Sequence, residues 1–370
     1  DDGEGRYALL ESVWDYAEQK LASAGETTRW RDRHLDFFVR FAEDAEAPLT
    51  GPDQVEWLDR VATEHFNLRY ALRWSLESLD GIARGLRLAG ALTRYWEVRN
   101  FLAEGREQFE ELLTRADESV PPAVLAKCWF GAGRLAWCHD RDEDALRCYV
   151  EAQRLYAQLG DRLQVGLMHA YLGFTERNEG RTEAALAHFE KAQAIGAELE
   201  SERLLATARS GLSSIAADQG ELAAARALKE ESMAMLRRFG DKWIVCLVAW
   251  STAKIAVAQG DDDAARAYLR EAVELSAALG NKWSAPYALE SFGDLAANQR
   301  DGARAARLYG AASTLREALG LRLSPAEKIA YDSALARIRA LAGDESFEGE
   351  WTAGSALRAE EALAFATQPA

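Results

Sequence analysis

Between residues 121 and 320 the apolar positions follow two periods at once. Inside each stretch they fall three and four apart, as at Leu222, Ala225, Leu228 and Leu236, the spacing of one face of a helix. From stretch to stretch the pattern returns every forty residues. Alanine stands at Ala145, Ala185, Ala225, Ala265 and Ala305, and a second small position runs Ala152, Ala192, Ser232, Ala272, Ala312. Breaks fall at Asp140, Gly180, Gly220, Gly260 and Asp301-Gly302, and again at Gly160, Glu200, Gly240, Gly280 and Gly320. The text around the second set repeats as LGDR, FGDK, LGNK and LGLR. A fixed period of this length marks a solenoid of stacked units. Each unit holds two helices, for example LLATARSGLSSIAADQG (204–220) and ELAAARALKEESMAMLRRFG (221–240). Gly220 and Gly240 stand where a helix C-cap needs a left-handed residue. The recurring alanines let neighbouring helices approach, and a larger side chain there would force them apart.

The regular array is flanked on both sides. Residues 1–25 carry a helical stripe through Leu10, Val13, Trp14, Ala17 and Leu21, stopped at Gly25. Residues 26–81 form a helical cap. Its first helix is amphipathic through Trp30, His34, Phe37, Phe38 and Phe41, and Pro48 and Gly51-Pro52 break it. A helix pair follows, expected to bury Trp57, Leu58, Val61, Phe66, Leu68, Leu72 and Trp74. Residues 82–116 are a degenerate unit in the same phase. Phe109 lies forty before Tyr149, and Gly105 replaces the alanine. The array as a whole therefore covers 82–320. Beyond Gly320 the period stops, and residues 321–370 read as a closing cap. Ser324 is the expected N-cap of its first helix, with Pro325 and Glu327 following, and two shorter helices lie around Gly354. Such an end piece covers the last apolar face of a solenoid. The expected fold class is all-α.

Trp129, Gly133, Ala145, Tyr149 and Ala152 stand at the offsets of the tetratricopeptide signature, and Gly173, Ala185, Phe189 and Ala192 match in the next unit. Gly293, Ala305, Tyr309 and Ala312 match in the last, while Ser213 and Ala253 replace the glycine in the two units between. The chain thus resembles a right-handed tetratricopeptide-like solenoid with a long repeat. Three further strings resemble signalling ATPases of the STAND type, the signal-transduction ATPases with numerous domains. They are RYALLESVWDYAEQKL near the start, EWLDRVATEHFNLRYALRW from Glu56 to Trp74, and the closing stretch from RAARLYGAASTLREALG to EGEWTAGSALRAEEALAFA. The resemblance is to the C-terminal arm of bacterial transcription regulators in the maltose-activator-like, LuxR-type family. It implies that residues 1–25 end a winged-helix segment. It also implies that the array senses a small-molecule inducer or a peptide or protein partner, with ATP, oligomerisation and DNA binding belonging to the parent protein. The rival expectation is a constitutive docking scaffold of a cyclase- or kinase-linked signalling protein.

Composition narrows the classes. The chain has 370 residues, 48% of them hydrophobic, enough for a large core. Its net charge of −16 argues against a nucleic-acid or acidic-membrane footprint. No apolar run is long enough to span a membrane. The first residue is Asp1, not methionine, so the sequence reads as a piece cut from a longer protein, and no signal peptide is visible. Cys128, Cys138, Cys148 and Cys246 lack disulfide or zinc spacing, and read as reduced thiols of a cytoplasmic protein. Asp140, Asp142, Asp144 and Glu151 imitate a calcium loop, but Ala145 stands where its turn needs glycine. FGAGRLA imitates a dinucleotide loop without the strand that should precede it. The five histidines share no ligand spacing, and no catalytic motif appears. No metal and no cofactor is expected in this chain, and it is expected not to be an enzyme.

The candidate site is a surface. In tetratricopeptide arrays the first helix of each unit lines the concave side. Phased on Trp129, that side carries Lys127, Phe130, Arg134 and Trp137 in the first regular unit, then Phe174, Arg177 and Asn178 in the second. Ser210, Ser214 and Asp218 follow, then Trp250 and Lys254, then Tyr287, Glu290 and Asp294. Aromatic, cationic and amide groups together suit recognition. Arg134 and Arg177 are expected to offer a fork for an anionic group.

Overall fold

The computed structural model describes residues 11–323 and 325–368. Tyr7, Leu10 and the Ser324 cap, with the side chains of Val13 and Trp14, lie outside what is described. Among the described residues there are nineteen α-helices, one short 3-10 turn and no strand. The chain is an α-solenoid of tetratricopeptide-like helix pairs.

Helices α1 (Glu11–Ser23), α2 (Thr27–Ala45), α3 (Gln54–Thr63) and α4 (His65–Glu77) precede the array. Six helix pairs then stack: α5 (Gly81–Val98) with α6 (Leu102–Thr114), α7 (Pro122–Trp137) with α8 (Asp142–Gln158), and α9 (Arg162–Asn178) with α10 (Thr182–Glu198). They continue as α11 (Glu202–Asp218) with α12 (Leu222–Arg237), α13 (Lys242–Gln259) with α14 (Asp262–Ala278), and α15 (Ala285–Asn298) with α16 (Gly302–Ala318). The end piece is α17 (Pro325–Ala342), α18 (Asp344–Ser355) and α19 (Ala359–Thr367). Ile338, Phe347, Ala362 and Ala366 of this piece are buried against the last pair.

One local device generates the repeat. Left-handed residues stand on a twenty-residue grid, at Asp140, Gly160, Gly180, Glu200, Gly220, Gly240, Gly260, Gly280, Arg300 and Gly320. At Gly160 its own N–H reaches Ala157 O (3.1 Å), and the N–H of Asp161 reaches Tyr156 O (3.0 Å). These two bonds satisfy the carbonyls that a helix end leaves unpaired. The next residue then opens the following helix. The side chains of Asp161, Ser201, Asp241, Asp261 and Asp301 each accept the N–H three residues on, a normal N-cap. The break expected at Asp301-Gly302 is therefore at Arg300 (φ 63°). Gly302 is already helical, and a Cβ on it would lie 2.6 Å from Ala342 N.

Small residues do what the sequence asks of them. Ala145, Ala185, Ala225, Ala265 and Ala305 are fully buried. A Cβ on Gly133, Gly173 or Gly293 would meet Tyr149, Phe189 or Tyr309 at 2.6–2.7 Å. Two apolar expectations fail in the N-terminal cap. Phe66 is 72% exposed, because α4 turns His65, Leu68, Ala71 and Leu72 inward instead. In α2, Trp30 and Phe37 face out, and Leu35, Phe38, Val39 and Ala42 form the buried stripe. Gly354 lies in the last turn of α18, against Arg307 O, and the break follows it.

The superhelix closes on itself. Gln54 donates to Asp241 (3.0 Å) and accepts from the N–H of Trp243 (3.0 Å). Asn281 donates to Val98 O (2.7 Å), and the Trp283 indole donates to Cys138 O (2.6 Å). Trp243, Leu279, Trp283 and Tyr287 belong to the same apolar cluster as Leu35, Leu86 and Trp96. The start of the array thus meets its fifth and sixth pairs across the axis.

Candidate functional site

Closure turns the concave face into a partly open cavity of about 1010 Å³. The first helices of the pairs supply most of its wall, since the repeat turns their inner faces toward the axis. All twelve groups expected to bind a ligand, Lys127 through Tyr287, line it, and Asp218 does too. Glu290 and Asp294 lie in an adjoining cavity of about 720 Å³, beyond Trp250 and Lys254. Glu290 is bonded to Arg316 (2.8 Å) and Asp294 accepts from the Tyr309 hydroxyl (2.8 Å). Helix α17 packs against α9, and its Glu327 and Ala330 reach the rim of the larger cavity.

The free arginine fork does not exist. Arg134 is 5% exposed, ion-paired to Glu97, and lies over the rings of Trp137 (5.0 Å) and Tyr171 (4.7 Å). Arg177 reaches the cavity but clasps Asp218 through two bonds of 2.6 and 2.7 Å. The reason is geometric. Glu97 sits one unit earlier, on α5, and Asp218 one unit later, so each charge is met by a neighbour in the stack.

Glu97 organises the inner wall. It is 2% exposed and takes bonds from Arg94 (3.0 Å), Arg134 and the Trp243 indole (2.9 Å). Arg94 also reaches Asp241 (3.2 Å). Burial alone would raise the Glu97 pKa, but the charges of Arg134 and Arg94 with these bonds hold it below the usual carboxylate value. The other side chains are similarly engaged. Lys127 pairs with Glu46, Asn178 donates to Asp142 (3.3 Å), and Lys254 lies over Trp250 (5.1 Å). Trp250 donates to Ser291 (3.1 Å), and the Tyr287 hydroxyl donates to Asp140 (3.3 Å). Burial pushes the Asp140 carboxyl up to about 7 and the Asp142 carboxyl to about 6.

Some residues were not expected. Lys229 of α12 enters the cavity from a second helix; its signal in sequence is a break in the column Phe109, Tyr149, Phe189, Lys229, Leu269, Tyr309. Asp241 and Trp283 carry no such signal, because only closure brings them to the site, whereas Glu97 stands forty before Trp137, at an inward position of the degenerate first unit. His169 and His188 meet across α9 and α10 with Nδ1 atoms 2.8 Å apart. Among the described residues no group of three or more metal ligands forms, and no helix is long and apolar enough to cross a membrane. The four cysteines are free thiols, three of them buried.

No family model matches the chain. Over 115 residues, 30% of its length, it is 37% identical to proteins of Mycobacterium tuberculosis and Mycobacterium bovis provisionally named HTH-type transcriptional regulators. The match spans 13% of the length of those relatives. Among solved structures, the Rap conjugation gene regulator of plasmid pLS20 in complex with the Phr* peptide superposes with a TM-score of 0.52. It is 12% identical, over 85% of this chain and 98% of that one. A Rap protein complexed with Competence and Sporulation Factor gives a TM-score of 0.51 at 12% identity, over 88% of this chain and 99% of that one. At such identities the likeness shows the helical-repeat fold.

Proposed function

We propose that this chain is the sensing arm of a transcription regulator of the STAND type, and that a ligand held inside the closed superhelix is what it senses. The observation that carries the reading is the cavity of about 1010 Å³ lined from six successive helix pairs. It lies at the upper end of the size of small-molecule sites and combines aromatic walls with a few polar groups. A ligand there touches units far apart in sequence, so its binding favours one setting of the superhelix over another. That differential contact is what a sensor needs. The partial match to mycobacterial regulators supports a role in transcription. The charge of −16 supports leaving DNA contact to another part of the parent protein, as ATP binding and oligomerisation would be.

The role is recognition rather than turnover. Arg134 and Arg177 are already neutralised by Glu97 and Asp218, which suits a preformed wall better than reacting groups. A short peptide is the second occupant the cavity admits, and the likeness to the Rap regulator in complex with the Phr* peptide favours it over a large protein surface. A permanent docking scaffold fits less well, since closure through Gln54, Asp241 and Trp283 narrows the groove.

Calorimetry of the whole chain against small molecules and against extended peptides separates these readings. Binding of either should weaken at least about tenfold in Phe174→Ala, which removes an aromatic wall without touching an ion pair. A ligand whose affinity is the same in Phe174→Ala and Ser214→Trp, the second of which places an indole in the cavity, would bind elsewhere and sink the proposal.

A further inference from the structure

The unit spanning residues 201–240 departs from its neighbours at one place. In three other units a glycine of the first helix lies against an aromatic ring of the second, as Gly173 does against Phe189. Here Ser213 replaces the glycine and Lys229 replaces the ring. The positions equivalent to Ser210 hold Phe130, Ala170 and Trp250, and those equivalent to Ser214 hold Arg134, Phe174 and Lys254, so only this unit has small hydroxyl residues at both. Small hydroxyl residues thus open the space that the lysine enters.

Lys229 is 2% exposed and ends at the cavity wall. Its Nζ lies 2.8 Å from Ser210 Oγ, 2.9 Å from Ser210 O and 3.4 Å from Ser214 Oγ. Among the described residues no carboxylate pairs with it. Asp218, whose charge acts on it, is clasped by Arg177. Burial, with the Arg177 charge adding to it and Asp218 opposing, lowers the Lys229 pKa to about 7. At pH 7 its unprotonated share then exceeds that of an ordinary lysine by about a thousandfold. A buried amine kept neutral in this way is a nucleophile.

We propose that Lys229 is the covalent anchor of the cavity, holding a ligand with an aldehyde or ketone group as an imine. This rests on the reading of the cavity as the ligand site and deepens it by naming the ligand's reactive group. The Nζ lone pair forms a bond to the carbonyl carbon, and the carbonyl π pair moves to oxygen, which takes up a proton. The carbinolamine then loses its hydroxyl as water while the second Nζ proton departs, leaving C=N. No oxidant or reductant is consumed, and water reverses the step. Ser210 Oγ stands within hydrogen-bond distance of Nζ, placed to carry a proton between nitrogen and the departing oxygen. Phe174 and Trp250 flank the serines and suit an apolar body on the carbonyl compound.

The test uses the whole chain, benzaldehyde as probe and cyanoborohydride to trap the imine as a stable secondary amine. Peptide mapping should place the modification at Lys229 at pH 7, about tenfold or more faster than at any other lysine. The rate at Lys229 should rise with a midpoint near pH 7, where exposed lysines need a pH near 10. Ser210→Ala should slow trapping several-fold, and Lys229→Met should remove that labelled peptide. Lys229 left unmodified, or modified no faster than exposed lysines at pH 7, overturns the anchor. If a reversible ligand still binds in calorimetry in that case, only the covalent step fails. If nothing binds in the cavity by either measurement, the sensing role fails with it. The pH profile of the unaltered chain decides the matter even where Lys229→Met folds poorly.

Discussion

Arg134 and Arg177 read alike in sequence and differ in what holds them. Arg134 is almost wholly buried with Glu97, whereas Arg177 and Asp218 are about one-third exposed or more. Removing one member of a buried pair strands the other charge, so Arg134→Ala is expected to cost about 3–5 kcal/mol. Arg177→Ala should cost no more than about 1 kcal/mol, because solvent screens that pair. Urea midpoints of the two variants check the contrast, and equal losses would refute it. Lys229 carries the opposite sign. Its folded pKa lies near 7, below the 10.5 of a free lysine. Between those values the unfolded chain binds more protons, so this group's contribution to stability rises with pH across that window. Below pH 7 the full cost of charging the buried amine remains. Lys229→Met should therefore stabilise the chain at pH 7, by on the order of a few kcal/mol, and flatten the rise toward pH 10. Denaturation at both pH values measures it, and an unchanged slope would place the proton elsewhere.

At the scale of the helix, turn and packing positions respond to different rules. Arg300 takes a left-handed turn that its images at Gly220 and Gly260 take without a side chain. Arg300→Gly should be neutral or stabilising by up to about 1 kcal/mol. Asp140 has the same backbone (φ 53°), but its carboxylate accepts from Arg322 N (3.0 Å) and from Tyr287. Asp140→Gly should thus lower the melting temperature although it relieves the same strain. Two variants shifting in the same direction would show that backbone conformation alone matters at these turns. Packing is less forgiving. A Cβ on Gly211 would sit 2.1 Å from Phe189, which already fills the space beside Gly173. Gly211→Ala and Ala265→Leu should each cost about 1–3 kcal/mol by overpacking. Thermal unfolding reads both, and an unchanged midpoint in either would mean that the stack can part there without loss.

Across the whole molecule, the clasp of Glu97, Arg94, Asp241 and Trp243 ties the start of the array to its fifth pair. Helix pairs that contact only their neighbours keep their local structure when a distant contact is lost. Asp241→Asn with Trp243→Phe, which leaves the Glu97–Arg134 pair in place, should consequently widen the superhelix, seen as a larger radius of gyration in solution scattering, while circular dichroism stays unchanged. A radius that stays the same would show that the apolar cluster around Trp283 closes the ring unaided.

The sequence by itself determined the helix pairs, their phase and the side chains that face the axis. Each depends on chemistry within one repeat: a left-handed residue, an aspartate cap after it, an alanine at the helix contact. That is why all twelve inward positions, from Lys127 to Tyr287, could be named from spacing and do line one cavity. The same periodicity misled where it was absent, as at Phe66 and Phe37, which face out of the irregular N-terminal cap. Tertiary structure alone decided what the inward groups do. A small rotation per unit, too slight to leave a mark on any one repeat, accumulates until residues 145–187 apart in the chain touch. That accumulated turn brings a tryptophan from α13 to Glu97, which is already paired with its neighbour Arg134, closes the groove into a cavity, and leaves Lys229 inside it with no carboxylate paired to it.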